Sequence, residues 1–162
     1  AGNRDFLVGE RFLQDCGVVA LADPTVLDFG RRWLLTHGDA LCTDDTDYMR
    51  FRAQVRTPGW QSAFLARPLA ARQAIARQMR DHSEARKHSG LAYADVDAEL
   101  ALAWLAAANA QVMIHGHTHR PADHVLGTGH RVVLSDWDAL AEPPRRQVLR
   151  LTVDGWRRTA LD

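Results

Sequence analysis

The amino-acid sequence predicts an α/β fold, in which short buried strands alternate with helices. Short apolar runs such as 111–114 are bounded by helix and turn signals, which is the pattern of a buried strand. A long stretch over 46–88 instead carries apolar residues at helical spacing. The C-terminal part returns to short runs separated by glycine turns, which is typical of strand hairpins.

The first part of the chain is predicted to contain a loop followed by three short strands, at 18–21, 26–29 and 32–36. Asp23-Pro24 forms the turn between the first two strands, and Gly30-Arg31 leads into the third. The third strand ends at His37-Gly38-Asp39. Asp44-Asp45 then offers candidate N-caps for the next helix.

The region 46–90 is predicted to be a helical insertion. Pro58 and Pro68 divide it into short helices. Between 46 and 88 there are nine Lys and Arg residues and three acidic residues. Two interpretations are open: an ordinary solvated helix layer on a sheet, or a surface that meets an anionic, partly apolar partner such as a phospholipid face.

After the insertion, a helix over 95–108 is predicted to lead into the strand 111–114. Four further strands are expected, at 125–126, 131–134, 147–153 and 156–160. Hairpin turns are predicted at 127–129 and 154–155, where glycines occur.

Composition limits the classes of function. With 162 residues, 46% of them hydrophobic, the chain is expected to form one domain with a substantial core. Its formal net charge is zero, so no whole-molecule electrostatic field favours nucleic acid or membrane, and no nucleic-acid partner is expected. Cys16 and Cys42 are expected to be reduced thiols, and neither a signal peptide nor a membrane-spanning run is expected.

The segment Ile114-His115-Gly116-His117-Thr118-His119 is the most informative motif. It places three imidazoles just past a predicted strand end, where functional groups are commonly presented. Neutral imidazole is the commonest protein ligand for metals. The motif therefore indicates a metal site, and the alternative is a solvated histidine-rich loop.

Three motifs, each at a loop or strand end, together carry a family resemblance. They are Gly2-Asn3-Arg4-Asp5, His37-Gly38-Asp39 and Gly116-His117-Thr118-His119. In this order they resemble the C-terminal half of the calcineurin-like metallophosphoesterases. The longer runs 3–7, 37–45 and 115–121 resemble more narrowly the UDP-2,3-diacylglucosamine pyrophosphatases of lipid A biosynthesis. The similarity runs along nearly all of the chain but covers about the last two thirds of such an enzyme.

The resemblance implies a four-layer αββα sandwich, with 1–162 as the C-terminal portion of a metallophosphoesterase domain and 46–90 as a helical lid. It also implies a reaction, in which water attacks the α-phosphorus of UDP-2,3-diacylglucosamine and releases UMP and 2,3-diacylglucosamine 1-phosphate. Two Mn²⁺ ions are implied for a complete site. The implied location is the cytoplasmic face of the bacterial inner membrane, where a peripheral protein would meet its lipid substrate.

The resemblance also implies roles for single residues. Asn3, His37 and His117 would hold one metal ion, and His119 would hold the other. Arg4 would contact the phosphate and, with Asn3, take part in catalysis. The implied substrate contacts are Arg4, Asp45, Tyr48, Ser83, Lys87 and His117.

Two further residues are expected to support the metal ligands. Asp39 would accept a hydrogen bond from His37 and so fix which ring nitrogen faces the metal, and a simple turn carboxylate is the alternative. His115 is expected to have a supporting or substrate-side role rather than to bind metal.

The family pattern is incomplete in this sequence. Asp-x-His and Gly-Asp motifs, which supply further ligands and the bridging carboxylate, would precede Ala1. Asp44-Asp45 lies beside the lid and Asp136-Trp137-Asp138 follows the last motif, so neither is expected to replace them. We therefore expect a fragment of a longer enzyme that is inactive by itself. A metallophosphoesterase acting on another nucleotide or phosphoester, and a non-catalytic scaffold, are the alternatives.

Overall fold

The computed structural model describes residues 1–88 and 94–161, except for the side chains of 82–88. The described chain divides into two compact units. One contains the residues up to Asp44 and those from Asp95 onward, and the other contains the described residues between Asp45 and Ala94. The first unit is layered α/β and the second is helical.

A five-stranded mixed sheet organises the first unit. Its strands are β1 (Thr25–Phe29), β2 (Arg31–Leu35), β3 (Val112–His115), β4 (Asp123–Leu126) and β5 (Gly129–Val133). Their order across the sheet is β1-β2-β3-β5-β4. The central strands β2, β3 and β5 are parallel, while β1 and β4 pair antiparallel at the two edges. The predicted α/β class is confirmed, and the mixed sheet is consistent with a metallophosphoesterase-type fold.

A second, two-stranded sheet packs on one face of the first. It is a hairpin of β6 (Gln147–Thr152) and β7 (Gly155–Ala160). The core cluster between the sheets consists of Trp33, Val112, Ile114 and Val132, with Leu35, Leu149, Leu151 and Trp156 packed against it. The rings of Trp33 and Trp156 meet edge to face, with centroids 6.1 Å apart. The two sheets therefore share one apolar core.

Helix α5 (Ala98–Ala107) packs against β3. The Asp97 carboxylate caps its first turn by accepting a hydrogen bond from the Leu100 amide at 2.8 Å. Leu105 is buried on the helix, and Met113, whose position on β3 alternates with the residues facing the hairpin, is fully buried as well. The helix, the five-stranded sheet and the hairpin sheet thus form three successive layers.

The second unit consists of α2 (Thr46–Val55), α3 (Pro58–Leu65) and α4 (Leu69–His88). Pro58 lies in the first turn of α3, where a missing N–H costs no helical hydrogen bond. Thr57 caps the same helix by accepting from the Trp60 amide at 3.3 Å. The predicted division of this region at Pro58 and Pro68 is confirmed. Over 1–88 and 94–161, no helix is both long enough and apolar enough to cross a membrane.

The structure differs from the sequence prediction ahead of β1. The strand predicted over 18–21 is absent, and a short helix, α1 (Glu10–Asp15), precedes this segment. Val19 and Leu21 are exposed, so the short apolar run has no buried face. The turn predicted at Gly30-Arg31 is confirmed, because Gly30, whose φ of +65° suits a glycine, joins β1 to β2. The turn predicted at Asp23-Pro24 joins no two strands, since the described residues before β1 contain no strand.

Candidate functional site

The carboxyl ends of the three parallel strands meet at one edge of the sheet. His37 follows β2, the segment 115–119 begins at the end of β3, and Asp136 follows β5. The Leu134 amide donates to the His115 carbonyl at 2.7 Å, which extends the pairing of β5 with β3 up to this edge. Open α/β sheets commonly bind ligands at the carboxyl ends of their strands. The topology therefore assembles the candidate site.

Asn3, His37 and His117 are distant in the sequence but close together in the structure. The backbone N–H of Asn3 donates to His37 Nε2 at 3.4 Å. The ring centroids of His37 and His117 lie 5.1 Å apart, in an edge-to-face arrangement. Gly2 allows this approach, because a Cβ at Gly2 would lie 2.9 Å from His37 Cε1. The ligand roles of these residues stay predictions, but the three residues assigned to one metal do converge.

The backbone before His37 is held by Asp23. Asp23 Oδ1 accepts hydrogen bonds from the Thr36 hydroxyl at 2.6 Å and from the His37 amide at 3.2 Å. The Thr36 hydroxyl in turn accepts from the Gly38 amide at 3.2 Å. From the sequence, Asp23 is assigned only to a turn, because aspartate before proline is a common local turn signal. Its contact with the end of β2 is non-local and has no local signature.

The segment 115–119 is a tight turn in an uncommon backbone conformation. His117 and His119 have φ values of 63° and 54°, in the left-handed region that few non-glycine residues adopt. The Gly116 amide donates to the His37 carbonyl at 3.1 Å, and the Thr118 amide donates to the Gly116 carbonyl at 2.7 Å. Backbone strain of this kind persists where the surrounding structure holds it, often at functional sites.

Burial keeps two of the histidines neutral. The pKa of His117 is lowered to about 4, first by burial and then by the neighbouring His37, while Asp39 acts in the opposite direction. Burial likewise lowers the pKa of His115 to about 4. Both imidazoles are therefore neutral near pH 7, which is the form that can bind a metal ion.

His115 and Asp39 lie inside the protein, beneath the histidine turn. Both are fully buried. His115 Nδ1 lies 2.8 Å from the Gly116 carbonyl oxygen. Gly38, with φ +100°, packs so tightly on this ring that a Cβ would lie 2.8 Å from His115 Nδ1. His115 therefore supports the packing of the Gly38 turn, and any further role of His115 or Asp39 stays a prediction.

His119 faces a carboxylate that the sequence motifs do not identify. Asp136 Oδ2 lies 3.6 Å from His119 Nδ1. Arg145 holds the same carboxylate with two hydrogen bonds, from Nε to Oδ1 at 2.6 Å and from Nη2 to Oδ2 at 2.8 Å. These hydrogen bonds hold the pKa of Asp136 below its ordinary value. The signal that identifies Asp136 is topological, since β5 is the parallel neighbour of β3.

The described residues at this edge include donor types that metal ions bind. Neutral imidazoles and an asparagine carbonyl form a donor set that suits Mn²⁺. Within 1–81 and 94–161, where side chains are described, however, no three His, Cys, Asp or Glu side chains group closely enough to hold a metal ion. The donor types therefore suit a metal ion, and the described residues do not by themselves form a complete metal site.

The expected substrate residues lie in different parts of the structure. Arg4 is exposed near the N-terminus. Asp45 and Tyr48 lie at the start of α2 in the second unit, where Asp45 Oδ1 caps the helix by accepting from the Tyr48 amide at 3.2 Å. Ser83 and Lys87 belong to α4, and their side chains lie outside the described residues. The substrate contacts of these five residues, and that of His117, stay predictions.

Comparison with known proteins identifies relatives of this chain, although no family model matches it. UDP-2,3-diacylglucosamine hydrolase of Cellvibrio japonicus is 48% identical over 142 residues, which cover 84% of this chain and 59% of that protein. The protein of the same name from Xanthomonas oryzae pv. oryzae is 47% identical over 169 aligned residues, covering 96% of this chain and 66% of the relative. The protein of the same name from Marinobacter nauticus is 50% identical over 144 residues, which cover 85% of this chain and 59% of that relative.

The chain spans about three fifths to two thirds of the length of these curated relatives. Identity near one half extends over most of its own residues. The chain therefore belongs to the family of the UDP-2,3-diacylglucosamine hydrolases.

Proposed function

We propose that the protein to which this chain belongs hydrolyses the pyrophosphate bond of UDP-2,3-diacylglucosamine, giving UMP and 2,3-diacylglucosamine 1-phosphate. The names of the relatives supply the substrate. The observation that carries the proposal is the convergence of Asn3, His37 and His117 at the carboxyl edge of the parallel strands. That edge is where a phosphoryl group bound by metal ions would lie.

The proposed cofactor is a pair of divalent cations, with Mn²⁺ as the preferred ion. Asn3, His37 and His117 would hold one ion, and His119 would hold the other. When bound, such ions act as Lewis acids that activate water and neutralise charge on the phosphoryl group. The low pKa of His117 supports this proposal, because a neutral ring keeps a lone pair for a cation at pH 7.

The side chains of this chain would bind and orient the substrate. The Arg4 guanidinium would donate parallel hydrogen bonds to phosphate oxygens, and this interaction would strengthen as charge develops on the phosphoryl group. The Asp23 hydrogen bonds hold the His37 backbone before any substrate binds. The histidine turn is similarly fixed by the hydrogen bond from the Gly116 amide. Such preorganisation lowers the entropic cost of reaching the transition state.

The helical second unit is proposed to contact the lipid and the membrane surface. Leu65, Leu69 and Met79 are exposed apolar residues on α3 and α4. Arginines occur throughout the same helices. Basic amphipathic helices bind anionic phospholipid surfaces in this way. Peripheral association with the cytoplasmic face of the inner membrane follows as part of the proposal.

Deletion of residues 50–80 from the full-length protein tests the assignment of substrate. We expect hydrolysis of UDP-2,3-diacylglucosamine to be lost while hydrolysis of a small soluble phosphodiester, bis(p-nitrophenyl) phosphate, is retained. UMP release measured by mass spectrometry and p-nitrophenol absorbance give the two rates. Undiminished turnover of the lipid by the deletion variant would contradict the proposal, and a full-length protein that binds no Mn²⁺ would favour a scaffold.

A further inference from the structure

We propose that Asp136, held by Arg145, is a positioning residue that fixes the ring tautomer of His119 and so presents its Nε2 to a divalent cation. The inference rests on the proposed function, because His119 is a ligand only within that proposal. The motif histidines follow the parallel strands β2 and β3. Asp136 follows the third parallel strand, β5, and is added to the site by this inference.

The fold brings Asp136 to this position. Leu134, just past β5, donates its amide to the carbonyl of His115 at the end of β3. Asp136 follows two residues later and so lies against the histidine turn. Its side chain is 8% exposed, whereas that of His119 is 58% exposed. A buried carboxylate thus lies behind an imidazole that is open to solvent.

The carboxylate is locked in place by a network of its own. Arg145 Nε and Nη2 donate one hydrogen bond to each oxygen of Asp136, which is a bidentate pair. Nη2 also donates to Asp138 Oδ2 at 3.1 Å. The Arg145 amide donates to the Asp138 carbonyl at 2.8 Å, so the backbone of the loop is fixed as well. This network leaves Asp136 Oδ2 facing His119 Nδ1.

The chemistry of the pair selects one tautomer of His119. An ionised carboxylate only accepts hydrogen bonds, so the ring nitrogen facing it is favoured in its N–H form. A proton on Nδ1 places the free lone pair on Nε2, at the opposite side of the ring. The present separation of 3.6 Å becomes a hydrogen bond when the exposed ring moves by a few tenths of an ångström. Carboxylate partners of this kind fix the orientation of ligand imidazoles and raise their basicity.

The tautomer can be measured directly in the full-length wild-type protein. Long-range ¹⁵N–¹H correlation spectra of the metal-free protein at pH 8, with His119 assigned through His119→Gln, distinguish Nδ1–H from Nε2–H. We expect the Nδ1–H form for His119. A dominant Nε2–H form would overturn the inference, and this measurement requires no variant at Asp136 to fold.

Mn²⁺ titrations of variants provide the second readout. Asp136→Asn should weaken the binding of one of two Mn²⁺ ions by about 10- to 100-fold and leave the other unchanged. Asp138→Asn is the matched control, because Asp138 shares Arg145 but does not contact His119, and its Mn²⁺ affinities should stay within about twofold of wild type.

The outcomes separate this inference from the proposed function. Equal Mn²⁺ binding by Asp136→Asn and Asp138→Asn would overturn the positioning role alone. A full-length wild-type protein that binds no Mn²⁺ would overturn the proposed metal centre and the inference with it.

Discussion

His117 combines three properties that single residues rarely share. Its backbone is left-handed, its ring lies against His37, and burial lowers its pKa to about 4. The backbone conformation and the contact with His37 fix the position of the ring, and the lowered pKa keeps the ring neutral, before any ligand binds. The proposed role of His117 as a metal ligand therefore leads to a direct test.

Replacement of His117 by alanine in the full-length protein should remove most hydrolytic activity. Loss of a direct ligand should lower the affinity for one Mn²⁺ by at least about 100-fold, the upper end of what loss of a supporting residue costs. Calorimetric titration with Mn²⁺ and UMP release measure the two effects. His124→Ala, on the edge strand β4, is the control and should stay near wild type. Wild-type turnover by His117→Ala would contradict the assignment.

Replacement of Arg4 by alanine should slow catalysis without loss of metal. Removing one preorganised donor to developing charge typically costs about 100- to 1,000-fold in kcat. Mn²⁺ stoichiometry, measured on the same sample, should be unchanged. Arg11→Ala is the matched control, since Arg11 is 95% exposed on α1 and pairs only loosely with Asp15. A variant at Arg4 that loses Mn²⁺ would indicate a structural role instead.

At this scale, the sequence identifies the imidazoles better than the residues that support them. The closely spaced histidines of 115–119 form a local pattern that is visible without a structure. Asp23 and Asp136 act through contacts with residues distant in the chain, and nothing adjacent to them in the sequence marks those contacts. The role of such carboxylates becomes visible only once the strand order is known.

At the scale of elements, the β6–β7 hairpin covers one face of the five-stranded sheet. Trp156 contributes through two contacts: the centroid of its ring lies 6.1 Å from that of Trp33, and its Nε1 donates to Asp123 Oδ2 at 2.8 Å. The ring contact attaches the hairpin to the core, and the hydrogen bond attaches it to strand β4. Trp156 therefore contributes to the attachment of the hairpin, together with Arg158, which donates to the carbonyls of Ala122 and Val133.

Trp156→Ala should lower the free energy of unfolding by about 2–3 kcal/mol, somewhat less than for a fully buried tryptophan because the ring is only partly buried. Urea denaturation followed by circular dichroism measures the change. Leu140→Ala is the control, because Leu140 is 93% exposed and its loss should change stability by less than about 0.5 kcal/mol. Equal stability of the two variants would show that the hairpin does not contribute through this contact.

The buried strands could be predicted where the sequence contains a continuous apolar run. The runs 32–36 and 111–114 contain the apolar segments Trp33-Leu34-Leu35 and Val112-Met113-Ile114, and both segments lie in central strands. The run 18–21 is also apolar but stays exposed. A local pattern cannot predict whether a position in the sheet is available to such a run. The strand order β1-β2-β3-β5-β4 likewise depends on long-range pairing.

At the scale of the whole first unit, a salt bridge joins the segment before α5 to the centre of the sheet. Arg131 donates to both oxygens of Asp95, at 2.7 Å and 3.2 Å. Arg131 is buried, and its hydrogen bond is the main cause that lowers the pKa of Asp95 from 3.8 to about 2. Because the folded pKa is lowered, the stabilisation is complete above about pH 4 and is lost as the pH falls towards 2.

Asp95→Asn should therefore lower the free energy of unfolding at neutral pH. It should also make that free energy depend less on pH in the acid range. The carboxylate is 44% exposed, so solvent screening limits the expected loss at pH 7 to about 1 kcal/mol. Urea denaturation at several pH values between 2 and 7 measures both effects. Asp154→Asn, at an exposed turn, should keep the wild-type acid dependence. An unchanged slope between pH 4 and 2 in Asp95→Asn would refute this account.

The parallel alignment of β2, β3 and β5 has a consequence for how the protein matures. The strand before His37 and the strand before His117 are adjacent in the sheet although the entire helical unit separates them along the chain. Pairings between such remote segments form slowly during folding. The proposed divalent ion, which would need both loops, would bind only after that pairing is complete and would then favour the paired state by mass action. The bound ion would stabilise the pairing of β2 with β3. Its uptake would therefore report correct folding as well as readiness for catalysis.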